Sequence, residues 1–267
     1  MERLPDRLVI RTTLFLVVMI LTVASWVLTY SNARNMGVMM QIGVPMSLGM
    51  EGRAGILSLI VFIGMWLIMM VAMMLPSSYP TLLLHRTVYQ QRTPEQYGGT
   101  FLFAASYFLV WTVSGGLFYS AYVTTGLLRT GHPGSEPLVL RGAGLALLLS
   151  GAYQWSGFKR ACLKHCQSPL FFVMQHWHDG RLGAVRMGAA HGIFCFGCCW
   201  GLMLILFVMG IMHLGWMAAI GALILLEKVV PARGWVSKTI GAAFIIVGAI
   251  VMMFPELLLK LSSQVTL

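Results

Sequence analysis

Apolar runs of roughly 20 residues, the length a helix needs to cross the hydrocarbon core of a bilayer, recur along this chain with only short polar segments between them. Hydrocarbon offers backbone N–H and C=O groups no partner, so each run must satisfy its own hydrogen bonds and reads as a helix. The pattern predicts an all-α fold, a polytopic transmembrane helical bundle of about seven spans over 8–30, 54–75, 100–128, 138–157, 189–210, 214–230 and 236–258. Pro76 and Pro80 are expected to end the second span. The fifth and sixth are divided only at 212–215; joined, they would be too long for a bilayer. With 58% hydrophobic and 10% charged residues in 267, a water-soluble domain is excluded.

The whole chain, 1–267, reads as a single transmembrane domain. The longest polar stretch, 158–188, is expected to be a cytoplasmic loop in which Pro169 to Asp179 form a short amphipathic helix at the interface, ended by Gly180. Arg3, Arg7 and Arg11 precede the first run, but that run exceeds the roughly 7 to 15 residues of a signal core, so it reads as a retained span.

The net charge of +10 follows topology. With the N-terminus inside, only Arg34, Arg53, Arg129, Arg141 and Lys260 of the 18 Lys and Arg residues fall outside. That bias predicts N-in and C-out in a bacterial inner (cytoplasmic) membrane. The lipid bilayer is thus the expected partner of the basic residues, and no nucleic acid is expected. No phosphate-loop or dinucleotide fingerprint is present.

All five cysteines fall in two clusters, Cys162-Leu-Lys-His165-Cys166 and Cys195-Phe-Gly-Cys198-Cys199. On a helix, residues three or four apart share a face, so Cys162, His165 and Cys166 can converge, as can His191, Cys195, and Cys198 or Cys199. A lone buried cysteine is usually a small hydrophobe, and paired thiols also serve redox relays. Two clusters with histidine at ligand spacing favour metal. Met65, Met69 and Met73 recur every fourth residue in the second span. Thioether beside thiolate narrows the metal to a soft one, copper(I) first, with zinc and iron as the other metals such ligands hold. Met36, Met39, Met40, Met46 and Met50, with Met209, Met212, His213 and Met217, form an outer methionine group that would serve as a vestibule or as adaptable packing. Glu227, costly in lipid, is expected to face the bundle and pair with Lys228, Arg186 or cationic cargo. Tyr107 and Trp111 read as packing aromatics, and His85 and His132 as loop residues.

The sequence resembles a bacterial family of predicted metal-binding integral membrane proteins, a domain of unknown function. The resemblance is carried by Met73-Met74-Leu-Pro76-Ser77, by the motif from Cys162 to Pro169, by Gly192 to Trp200, and by Trp216-Met217 through Glu227-Lys228, over about 54–231. It implies metal binding at the inner cluster without naming a metal, a reaction or a direction.

The expected site therefore draws on Cys162, His165, Cys166, His191, Cys195, Cys198, Cys199, Met69 and Met73, with Glu227, Met65, Met212 and His213 as accessory groups. It is expected near the cytoplasmic face, handling copper(I) for transport or for delivery to another membrane or soluble metalloprotein. A transmembrane thiol-disulfide relay and a metal-dependent membrane oxidoreductase subunit are the rival readings.

Overall fold

The computed structural model describes residues 4–41, 56–92, 98–131, 136–209, 214–230 and 234–254. Among them are nine helices and no strand: α1 Leu4–Gln41, α2 Ile56–Arg92, α3 Gly99–Gly131, α4 Glu136–Gln154, α5 Gly157–Gln167, α6 Pro169–His176, α7 Gly180–Met209, α8 Leu214–Val229 and α9 Trp235–Met253. Five helical segments, Arg11–Arg34, Ser58–Arg92, Gly99–Ala121, Gly180–Leu206 and Trp235–Met253, are long and apolar enough to cross a membrane.

Two expectations need correction. The second helix does not stop at Pro76 but runs on through Pro76 and Pro80 to Arg92. Each proline removes one N–H and so deprives one carbonyl of its partner. In a packed bundle that loss is tolerable, particularly where hydroxyls take up nearby carbonyls. Ser77 donates to the Met74 carbonyl and Ser78 to that of Leu75. His85 consequently lies inside a helix rather than in a loop. The 158–188 segment is also more ordered than a loop with one surface helix. It holds α5, α6 and the first turns of α7, and Gly180 opens α7 in a left-handed conformation (φ 78°) four residues after α6 has ended at His176.

The break between α4 and α5 has a local cause. Ser156 is extended and its side chain accepts from the Lys159 backbone N–H, an N-cap that starts a new helix. Ser168 precedes α6 without a side-chain cap, and Pro169 occupies its first turn, where the missing N–H has no intrahelical partner to lose.

Packing contacts fix the helix directions. α1 runs antiparallel to α2, since Phe15 meets Tyr79 while Thr29 and Asn32 share a cavity with Phe62 and Met65. α2 is antiparallel to α3, with Ser58 on Tyr119, Trp66 on the Trp111 carbonyl and His85 on Phe103. α4 is antiparallel to α7 through Ser150 to Gly201 and Tyr153 to Gly197. It is also antiparallel to α9, where Gly144 faces Gly248 and Gly151 faces Gly241. α2 and α8 run the same way, as do α3 and α7. In chain order, the helices α1, α2, α3, α4, α7, α8 and α9 therefore alternate in direction.

Close approach between α3 and α7 depends on small residues, as is common where helix backbones touch. A Cβ on Gly188 would strike the Phe103 carbonyl, and one on Gly192 would lie 3.1 Å from the Tyr107 carbonyl. Gly188→Ala is expected to destabilise the fold by about 1–3 kcal/mol, the range for overpacking; a detergent-denaturation midpoint for the purified variant checks this. This seam sets the height at which Tyr107 meets α7.

Candidate metal centre

The site forms where four helices meet α7. α4 ends where α9 begins, since Trp155 donates to the Lys238 carbonyl, and Tyr153 reaches the Gly197 carbonyl of α7. α5 continues from that level along α7. Cys162 sits opposite Gly197, where an added Cβ would lie 2.8 Å from its sulfur. One turn on, the His165 ring stacks on Phe194 at 4.0 Å.

This placement brings Cys166 to the face of α7 that carries Cys195, Cys198 and Cys199. The Sγ atoms of Cys166, Cys195 and Cys198 all lie within 4.8 Å of one another. Cys198 is 3.7 Å from Cys166, and the Cys199 sulfur 3.9 Å from that of Cys198. Both Cys198 and Cys199 also donate to the Cys195 carbonyl, at 3.1 and 2.6 Å. All five cysteines are free and buried. Of the two on α5, Cys166 is held well above the ordinary thiol range by its hydrogen bonds with Cys195 and Cys198 and by burial. Burial, with Cys198 nearby, likewise pushes the Cys162 thiol up. A soft cation entering here therefore has to displace protons from sulfur.

A buried ammonium closes one side. Lys228 Nζ lies 3.1 Å from Cys195 Sγ, 2.9 Å from Ser77 Oγ and 3.9 Å from Met74 Sδ. Its three N–H groups thus meet three acceptors. Tyr107 adds a hydroxyl 3.1 Å from the same Cys195 sulfur. The neighbouring Glu227 turns the other way. Its expected pairing with Lys228 or Arg186 is not what forms; instead both carboxylate oxygens accept from Lys159 of α5 at 2.8 Å. Lys159 also donates to Gln154, and Gln167 donates to the Glu227 carbonyl. Unpaired, either charge would be very costly at such depth, so the pair clamps α5, and with it Cys166, onto α8.

Other expected site residues are not among the three sulfurs that lie within 4.8 Å of one another. The ring of His191 is buried against Tyr107 and Phe172, its Nδ1 has no hydrogen-bond partner among the described residues, and it is not a member of the three-sulfur group. His165 is half-buried, and its Nδ1 bonds the Ala161 carbonyl. Met73 packs on Gly221 of α8, whose added Cβ would lie 3.5 Å from it. Met65 and Met69 line a cavity between α1, α2 and α8. Met212 and His213, like Met46, Met50 and His132, lie outside the described residues. In place of these the structure supplies Lys228, Tyr107, Ser77 and Met74. Met74 differs from the expected Met73 by one residue, about 100° around the helix.

The family described as PpoB2, copper chaperone, matches the chain over residues 63–251. The chain belongs to that family. The PpoB2 match takes in every residue of the thiol cluster and its surroundings, and its description names copper where the sequence resemblance implied only a metal. No curated protein and no solved structure matches the chain. Three soft sulfurs in a dry site suit the copper(I) that the PpoB2 description calls for, because thiolates select it over hard cations.

Proposed function

We propose that this protein is a multi-pass membrane copper chaperone that holds copper(I) between the sulfurs of Cys166, Cys195 and Cys198 and passes it to another metalloprotein. Copper is the cargo, and the observation carrying the reading is the convergence of three thiols from two separate helices. Residues Cys162, Cys199, His165 and His191 surround this centre and serve as relay or supporting groups. Zinc, which thiolates also hold, is the less suitable cargo because it takes a tetrahedral set of four ligands, and the cluster brings together three sulfurs.

Support for seven spans, N-in and C-out, comes from the alternating directions of α1, α2, α3, α4, α7, α8 and α9, together with five segments long and apolar enough to cross a bilayer. The charge bias then orients the end carrying α5 and α6 towards the cytoplasm of a bacterial inner membrane. On that reading the thiols sit at the inner end of the apolar layer, within reach of a docking partner but out of bulk water.

The rival thiol relay needs sulfurs that a second thiol can attack, whereas Cys195 and Cys198 are 0% and 2% exposed. A direct test uses protein loaded anaerobically with one copper(I) and reconstituted in vesicles. It is expected to metallate a copper-free acceptor protein on mixing, but not when a dialysis membrane separates the two. Transfer across the dialysis membrane at the same rate, or no copper uptake at all, contradicts the proposal.

A further inference from the structure

Met65 and Met69 from α2 and Met217 from α8 line one cavity between α1, α2 and α8, with Thr29 and Asn32 of α1 on its wall. The remaining lining, Phe62, Trp66 and Ile68, is apolar. Met69 and Met217 are buried, at 3% and 0% exposure, so neither is a thioether left to lipid. Trp66 is held in the wall by its own bond to the Trp111 carbonyl. Met65 and Met69 are one turn apart on one helix face, and the parallel course of α2 and α8 brings Met217 to the same height.

We infer that this cavity is a second soft-metal site, an all-thioether staging site that takes up a monovalent ion such as copper(I) before it reaches the thiols. The inference rests on the copper reading of the thiol cluster and extends it to a place the cysteines do not touch. Three features carry it. The cavity offers neutral sulfur donors, which suit a soft monovalent ion and are poor ligands for divalent or hard ones. Its polar groups, Thr29 and Asn32, lie on one wall only, where an arriving ion sheds its last water. Finally, thioethers continue from it towards the thiols: Met73 lies one turn beyond Met69, and Met74 is in contact with Lys228, which itself touches Cys195. Neutral thioethers leave the ion's charge uncompensated, so they hold it more weakly than thiolates do. The ion accordingly moves down an affinity gradient from the cavity to the cysteines, with no bond made or broken other than metal to sulfur.

The test uses silver(I), a redox-inert monovalent probe, and the full-length chain in detergent. Wild type is expected to bind two silver ions per chain and the Cys166→Ser/Cys195→Ser/Cys198→Ser variant one. Adding Met65→Leu, Met69→Leu and Met217→Leu to that variant should abolish the remaining ion; leucine conserves volume and keeps the packing. Met217→Leu alone in the triple-serine background should weaken silver binding at least about tenfold, since it removes one of the three thioether donors. Silver retained unchanged after the three leucine substitutions, or no silver in the triple-serine variant, overturns the inference. Failure of the thiol reading shows separately, as equal stoichiometry for wild type and the triple-serine variant.

Discussion

Serine at Cys166, Cys195 or Cys198 lowers copper(I) affinity at least about a thousandfold, whereas serine at Cys162 or Cys199 costs only the roughly 10- to 100-fold typical of groups that support ligands. The difference follows from geometry. The first three sulfurs face one another within 4.8 Å. Cys162 is turned to Gly197, and Cys199 touches the trio only at its edge, 3.9 Å from Cys198. Exchanging a soft thiolate for a hard hydroxyl at a ligand position removes most of what copper(I) gains there. At the two flanking positions it disturbs only orientation. Anaerobic competition against a copper(I) chelator measures all five, with circular dichroism confirming that each variant is folded. Equal losses at all five positions would mean that the ion is shared over the whole sulfur layer rather than held by one trio.

Lys159→Met is expected to destabilise the protein by about 3–5 kcal/mol, because it strands the Glu227 carboxylate in a buried setting. The two side chains are 1% and 2% exposed, so solvent screens the pair very little. The Lys159→Met/Glu227→Leu double variant should recover more than half of that loss, since replacing a buried ion pair by packed apolar groups is often close to neutral. Denaturation midpoints in detergent for both singles and the double give the coupling directly. The pair also holds α5 against α8, so the single variant should bind copper(I) more weakly than the double. If the singles prove no less stable than the double, the pair does not clamp α5 and the position of Cys166 must be fixed by other contacts.

Much of this architecture is written locally. Helical class, the long apolar segments and the two cysteine motifs follow from hydropathy and from spacing three or four apart, which any helix turns into a shared face. Information set by neighbours was less legible. Proline normally ends a helix, yet α2 continues because surrounding helices and the Ser77 and Ser78 hydroxyls support it. Spacing groups His191 and His165 with the thiols, but it does not show their aromatic neighbours, Tyr107 and Phe172 against His191 and Phe194 against His165. The partner of Glu227 lies 68 residues away in sequence, on a separate helix that Ser156 caps. Loop charge counting assigned Lys228 to a basic inner segment. Its burial beside Cys195 depends on where α8 ends relative to α7, which no local pattern encodes.

Copper K-edge X-ray absorption on the full-length protein, loaded anaerobically with one equivalent of copper(I), tests the three-thiol centre most directly. A first shell made of sulfur alone is predicted, and it should be lost in the Cys166→Ser/Cys195→Ser/Cys198→Ser variant under the same loading. A shell dominated by nitrogen or oxygen, or the same sulfur shell persisting without those three cysteines, would contradict it.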